Sequence, residues 1–182
     1  MPPHQVPSGA TPSTLETTRR PWWSSSAPPR PPLRTIVIAL LGAATGLLTL
    51  AALTEVTGNP FLIPPMAASV ALVVGAPTLP LSQPRNVIGG QLVSAAVGAA
   101  VGFVGHSLWL GALAGAVALA AMMLARVPHS PAAATAVIGT VSPTVPGWEF
   151  VLLAGAAAAV LALIGVVVNR ANGIPGYPAY LW

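Results

Sequence analysis

Four long stretches with almost no charge constrain the fold more than any other feature of this sequence. They are residues 35–56, 86–105, 108–125 and 148–168. A helix needs about 20 mostly apolar residues to cross the hydrocarbon core of a bilayer, and each stretch is close to that length. The sequence therefore predicts an all-α, polytopic membrane helix bundle with four full spans.

The low charge of the chain excludes an ordinary soluble domain. Charged residues make up 5% of the chain and hydrophobic residues 54%, whereas a soluble domain carries about 25% charged residues. All seven basic residues are arginines, and four of them lie in the first 34 residues. No aromatic residues interleave with a basic patch, as in nucleic-acid-binding surfaces. We expect a lipid bilayer, and no nucleic acid, as the partner of this chain.

Residues 1–34 differ in composition from the rest of the chain. They are rich in Pro, Ser, Thr and Arg, and such a segment buries too little apolar surface to offset the entropy cost of ordering it. We expect a disordered tail here and a transmembrane domain over residues 35–182. A basic cluster before the first span predicts a cytoplasmic N-terminus in the cell membrane.

Two shorter apolar segments, residues 59–77 and 128–146, are interrupted and bounded by prolines. They predict two short, proline-broken helices. The run Pro65-Met-Ala-Ala-Ser aligns with Pro131-Ala-Ala-Ala-Thr, and each segment lies between two full spans. This pattern indicates two inverted three-segment repeats, with chance matching in alanine-rich sequence as the alternative.

The distribution of charge favours six crossings over re-entrant short segments. If all six segments cross, Arg85, Arg126 and Arg170 fall on the cytoplasmic side with the N-terminus, as the positive-inside rule requires. Glu55 and Glu149 then fall near the outer face.

The starts of the two short helices form the first candidate site. A helix that starts inside the membrane presents unpaired N–H groups and the positive end of its dipole, which suits a small anion. In this interpretation the prolines begin the helices, the alanines let a ligand or a neighbouring backbone approach closely, and the hydroxyls donate hydrogen bonds to the anion. The alternative is two kinked packing helices whose hydroxyls bond to their own backbone. The candidate residues are Pro65, Ala67, Ala68, Ser69, Pro131, Ala134 and Thr135.

A second group of candidates is polar or charged. Gln83, Arg85 and Asn86 lie in residues 81–95, where Gln91 is a further polar residue outside the candidates, and Arg126 and His129 precede the second short helix. Polar groups at or within spans are costly and often functional, although Arg85 could simply anchor a span at the interface. His129 is either a proton-linked group or the cap of a surface turn.

Enzymatic chemistry has no support in the sequence. The spans contain no paired carboxylates, phosphate-binding loop or nucleophile elbow, and the histidines lack metal-ligand spacing. We expect no catalytic residues, metal or cofactor. Small residues four apart at 42–46, 98–102 and 111–115 predict close helix packing.

Two blocks of the chain resemble a known family. They are "PPMAASVALVVGAPTLPLSQPRNVIGGQLVSAAVG" and "MMLARVPHSPAAATAVIG", and they are similar to the HPP family of small multi-pass membrane proteins. The resemblance extends from about Leu33 to the C-terminal "YPAYLW". Its first motif covers Gln83, Pro84, Arg85, Asn86, Gly89 and Gly90, and its second covers His129, Pro131, Ala134 and Thr135.

The resemblance implies translocation of a small inorganic anion, with nitrite the leading candidate. Three positions depart from the family pattern: Ser130 replaces a proline, Ala133 a glycine, and Gln91 a histidine. If the family function needs that histidine as a proton carrier, coupling or substrate differs in this chain. The alternative is a structural or accessory membrane protein that binds a partner through its Pro-rich tail. Assembly into homo-oligomers stays open.

Overall fold

The computed structural model describes residues 27–142 and 147–181, and all regular structure in these ranges is helical. The prediction of an all-α fold is confirmed. The elements are α1 Leu33–Thr57, α2 Pro64–Gly75, a 3-10 turn Pro80–Ser82, α3 Pro84–Gly102, α4 Leu108–Leu124, α5 Ala132–Val141 and α6 Gly147–Ala171. Residues from Pro31 onward form one compact unit. Most of the predicted disordered tail, residues 1–26, lies outside the described residues, and its last two positions belong to α1.

The helices fall into long and short classes. Helices α1 and α6 have 25 residues each, about 37 Å at 1.5 Å per residue, which exceeds the hydrocarbon thickness of about 30 Å. Both are apolar enough to cross a membrane, whereas α3 and α4 are shorter, with 19 and 17 residues. With 12 and 10 residues, α2 and α5 span only about 18 and 15 Å. Neither short helix can cross the bilayer without its connecting segments.

Local sequence signals explain most helix ends. Gly58 ends α1 in a left-handed conformation, with φ of 72°, and its N–H donates to Thr54 O. Prolines occupy the first turns of α2 and α3, where their fixed φ suits a helix start. Ser107 caps α4, since its hydroxyl accepts from Leu110 N–H.

The start of α5 differs slightly from the prediction. Pro131 was expected as the first helical residue, but it precedes the helix as its N-cap residue, and α5 begins at Ala132. The difference is one residue, because Pro131 already has helical φ and ψ angles of −58° and −28°.

Helices that follow one another along the chain run in opposite directions. Leu92 in α3 faces Gly155 in α6, and Ala99 faces Gly147, so these two helices are antiparallel. Contacts of the same kind make α1 antiparallel to α2 and α6, make α4 antiparallel to α3 and α5, and make α3 parallel to α5. It follows that α2 and α5 run in opposite directions.

Both short helices begin inside the bundle. After α1, the chain turns back along it, and Leu62 N–H donates to Thr54 Oγ1 at 3.0 Å. After α4, Val127 and His129 pack against Gly89 and Gly90 in the second turn of α3. Helices α2 and α5 therefore begin part-way along the bundle, and their last turns reach its opposite ends.

The outer surface of the bundle is apolar. Large side chains are exposed on several helices, including Leu40 at 65%, Trp109 at 87% and Leu163 at 67%. Large apolar side chains exposed on this many helices are unfavourable in water but suit lipid. The exposed faces therefore fit the hydrocarbon of a bilayer.

Close packing at the small-residue positions is confirmed. A Cβ atom added at Gly98 would lie 2.6 Å from the carbonyl oxygen of Ala136, and one at Gly42 would lie 2.7 Å from Val168 Cγ1. Gly115 similarly faces Val137. These glycines let the backbones of α3 and α5, and the helix pairs α1–α6 and α4–α5, approach closely.

We expect Gly98→Ala to destabilise the protein by about 1–3 kcal/mol, because the added methyl group meets backbone that can move only with α5. Thermal unfolding of the purified protein in detergent measures this change. Gly75→Ala is the matched control, since a Cβ atom there meets no atom within 4 Å. Equal melting temperatures for the two variants would contradict the assigned contact.

Candidate functional site

The buried carboxamide of Gln91 joins the two short helices at the centre of the bundle. Thr135 Oγ1 on α5 donates to Gln91 Oε1 at 2.6 Å, and Gln91 Nε2 donates to Ser69 Oγ on α2 at 3.0 Å. All three side chains are fully buried. The two predicted hydroxyls therefore meet, and they meet on one side chain of α3.

His129 extends this group of residues toward the 3-10 turn. It is also fully buried, and its Nδ1 lies 2.7 Å from Leu81 O while its Nε2 lies 2.8 Å from Ser69 Oγ. A carbonyl oxygen can only accept, so Nδ1 carries a hydrogen. We call Ser69, Gln91, His129 and Thr135 the central cluster. The expectation that His129 could cap a surface turn is wrong, because the side chain is buried.

The paired glycines of α3 make room for His129. A Cβ atom at Gly90 would lie 2.6 Å from His129 Cβ, and one at Gly89 would lie 2.8 Å from Val127 Cγ1. A larger residue at either position would displace the connection between α4 and α5. The glycine pair thus brings the imidazole within hydrogen-bonding distance of Ser69.

The first-turn N–H groups of α5 are not free in this conformation. Those of Ala132, Ala133 and Ala134 donate to the carbonyls three residues earlier, at 3.0–3.3 Å. On α2, Ser69 Oγ lies 2.8 Å from Pro65 O, its own backbone. The central cluster is therefore closed by its own hydrogen bonds, and a ligand would have to displace some of them.

The predicted alanines do not face the central cluster. Ala67, Ala68 and Ala134 are exposed, on the outer side of their helices, whereas Pro65 is buried. One helical turn has only part of its circumference in the interior, so a run of consecutive alanines could not all line the same site.

Gln83 and Asn86 belong to a separate group of contacts at one end of the bundle. Gln83 Nε2 donates to Pro77 O and its Oε1 accepts from Ala179 N–H at 2.8 Å. Asn86 Nδ2 donates to Pro80 O at 2.8 Å and to Tyr180 Oη at 3.2 Å. These amides attach the C-terminal segment (residues 174–181) to the connection between α2 and α3.

The two predicted arginines lie near the ends of helices rather than in the central cluster. Arg85 is half-buried in the first turn of α3, and Arg126 is exposed between α4 and α5 with a φ of 60°. None of the hydrogen bonds within the central cluster involves either guanidinium. Any role in attracting an anion would be exerted from the ends of these helices.

Gln91 stood among the polar residues of the segment 81–95 but was not selected as a candidate. Its position was informative, because a carboxamide within the apolar span 86–105 needs partners for both its donor and its acceptor. The sequence could not identify those partners, which come from helices 22 and 44 positions away.

Tyr177 fastens the C-terminal segment from inside. Its hydroxyl donates to Ser82 O at 3.0 Å, and the ring is buried with 7% exposure. Burial away from water raises the pKa of Tyr177 to about 12, while a hydrogen bond with Asn169 opposes the shift with a smaller effect. The phenol is thus stabilised in its neutral, donating form.

We expect Thr135→Val to destabilise the protein by about 1–3 kcal/mol, because Gln91 Oε1 would be left buried without a donor. The matched control is Thr49→Val, which removes an exposed hydroxyl bonded only to its own helix and should change stability by less than about 0.5 kcal/mol. Chemical or thermal unfolding in detergent measures both. Unchanged stability of Thr135→Val would argue against the hydrogen bond between Thr135 and Gln91.

Alkaline pH should release the C-terminal segment. Because the pKa of Tyr177 is raised, its stabilising effect is complete below about pH 10 and is lost as the pH rises through about 12. Protease sensitivity of the C-terminal segment, with tyrosinate absorbance recorded in parallel, should increase over this range. Tyr177→Phe should remove the pH dependence, whereas Tyr180→Phe should retain it. If proteolysis of the wild-type C-terminal segment did not change between about pH 10 and 12, ionisation of Tyr177 would not control its attachment.

Comparison with known proteins agrees with this architecture. The family described as "HPP, transmembrane region" matches residues 28–178. Two transmembrane proteins of Dictyostelium discoideum are 31% and 33% identical over 168 and 169 residues. These alignments cover 86% and 85% of this chain but 54% and 59% of the relatives, so the chain spans little more than half of their length. No solved structure matches it significantly. The chain is an integral membrane protein that belongs to the HPP transmembrane family.

Proposed function

We propose that this protein moves a small inorganic anion, such as nitrite, across the cell membrane. The observation that carries the proposal is the bridge from Ser69 through Gln91 to Thr135. It joins two short helices that begin inside the bundle and run in opposite directions. In secondary transporters, substrate sites lie where discontinuous helices of two repeats meet near the bilayer midplane.

An inverted internal repeat fits the packing of the helices. Replacing each helix by the one three positions along the chain maps α1–α2 packing onto α4–α5, α1–α6 onto α3–α4, and α2–α6 onto α3–α5. Corresponding helices run in opposite directions. Ser69 and Thr135 each follow a proline by four residues, so the bridge joins equivalent positions of the two halves.

The positions of the arginines support six crossings with a cytoplasmic N-terminus. Arg34 donates to Ala171 O at 3.2 Å, so α1 begins where α6 ends. Given alternating helix directions, Arg85, Arg126 and Arg170 belong to the same end of the bundle as Arg34. Glu55 and Glu149 lie near the other ends of α1 and α6. By the positive-inside rule, the arginine-bearing end is cytoplasmic.

The chemistry of the central cluster suits an anion better than a cation. Its side chains supply two hydroxyls, a carboxamide N–H2 and an imidazole, and none of them is a carboxylate. Small anions accept hydrogen bonds from such donors. Since the cluster is closed here, transport requires a conformational step in which some of these donors turn from one another to the ion.

The closed state of the cluster also favours a second candidate function. A fully bonded polar network can hold a helix bundle in one arrangement without transporting anything. In that case the protein is a structural or accessory membrane component that acts through a partner. Deleting residues 1–30 would then abolish function while insertion in the membrane remained intact.

Anion flux into proteoliposomes tests the proposal. Purified protein should admit nitrite, nitrate, formate or chloride faster than protein-free vesicles do. Arg85→Ala should lower the uptake rate about tenfold, because a charge at the mouth of a pathway raises the local concentration of the ion. Arg170→Ala is the matched control at the same end of the bundle and should leave the rate near wild type.

Folding of each variant is checked by its elution and melting temperature. Wild-type uptake by Arg85→Ala would remove that residue from the pathway. No flux of any anion through folded protein would favour the accessory function.

A further inference from the structure

The hydroxyl of Ser69 has more partners than one hydrogen can satisfy in a single arrangement. Its oxygen lies 2.8 Å from His129 Nε2, 2.8 Å from Pro65 O and 3.0 Å from Gln91 Nε2. Gln91 Nε2 can only donate, so Ser69 Oγ accepts from it. The single hydroxyl hydrogen then points either to Nε2 of His129 or to the carbonyl of Pro65.

These two orientations match the two charge states of His129. When the imidazole is neutral, the Ser69 hydroxyl donates to Nε2. When Nε2 is protonated, it donates to Ser69 Oγ, and the hydroxyl turns to Pro65 O. In both states Nδ1–H keeps its bond to Leu81 O. The site can therefore gain a proton by rotation of one hydroxyl, without displacement of heavy atoms.

No counter-charge for an imidazolium is built into the surroundings. The elements packed around His129 are α2, the 3-10 turn, α3, α4 and α5, and the only titratable or charged side chain among them is Arg85 on α3. The connection that carries His129 adds Arg126, which is also cationic. A buried charge without a partner is strongly disfavoured. The proton site is thus well formed for hydrogen bonding but lacks an anion.

We infer that His129 takes up a proton at Nε2 together with a small anion, so that one proton accompanies each monovalent anion through the protein. The anion offsets the charge of the imidazolium, and the imidazolium adds an ionic donor to the hydroxyl and amide donors of the central cluster. The inference rests on the proposed anion transport and adds its coupling.

Flux measurements under a proton gradient test the coupling. Nitrate and nitrite are the probes, and protein-free vesicles correct for nitrous acid, which crosses membranes unaided. With 1:1 coupling, one pH unit should sustain about a tenfold accumulation of anion, with proton entry recorded by a trapped pH dye. His129→Gln should abolish the stimulation by the gradient. His106→Gln should retain it, because His106 is exposed and bonds Thr140 O outside the central cluster.

A measurement on the wild-type protein separates the inference from the proposed function. Nitrogen-15 NMR of labelled histidine should show a larger fraction of protonated His129 at a fixed pH when sodium nitrate replaces sodium gluconate. Anion flux without proton entry and without this change would leave a transporter but overturn the coupling. Absence of both flux and nitrate-dependent protonation would overturn both, whereas nitrate-dependent protonation without flux would support paired binding of proton and anion.

Discussion

The carboxamide of Gln91 has to be hydrogen-bonded at both of its ends, because it lies in an apolar bundle that excludes water. Its oxygen accepts from Thr135 of α5, and its nitrogen donates to Ser69 of α2. That requirement relates the two short helices to each other and to α3 at once. His129 continues the same set of bonds to the 3-10 turn, so α2, the 3-10 turn, α3, α5 and the connection before α5 share one polar centre.

Close packing makes this polar centre possible. Gly90 leaves room for the side chain of His129, and Gly98, about two helical turns further along α3, leaves room for the backbone of α5. With helices this close, short polar side chains can reach one another across the interface. Close contact at these glycines also helps to hold the helices together. In a membrane, the hydrophobic effect contributes little to helix association, because lipid is as apolar as the helix surface.

The sequence identified residues of the central cluster by their type, but it did not predict which side chains are buried. Ser69, His129 and Thr135 were correctly associated with the starts of the short helices, although Ala67 and Ala134 point away from the interior. Gln83 was a candidate in the second group, and it bonds the C-terminal segment rather than the central cluster. A contact across more than 90 residues leaves no local signal, since neither partner is unusual in its own surroundings.

The sequence by itself determined the solvent, the helical class and the approximate ends of the helices, because these depend on local hydropathy, on prolines and on glycines. It also indicated that two segments are too short to cross as ordinary helices. Only the tertiary structure decided that Ser69 of α2 and Thr135 of α5 bond the same residue of α3, Gln91. Hydrogen-bond partners across a bundle depend on which helices pack together. That packing results from many weak contacts, and no single one of them can be recognised in the sequence.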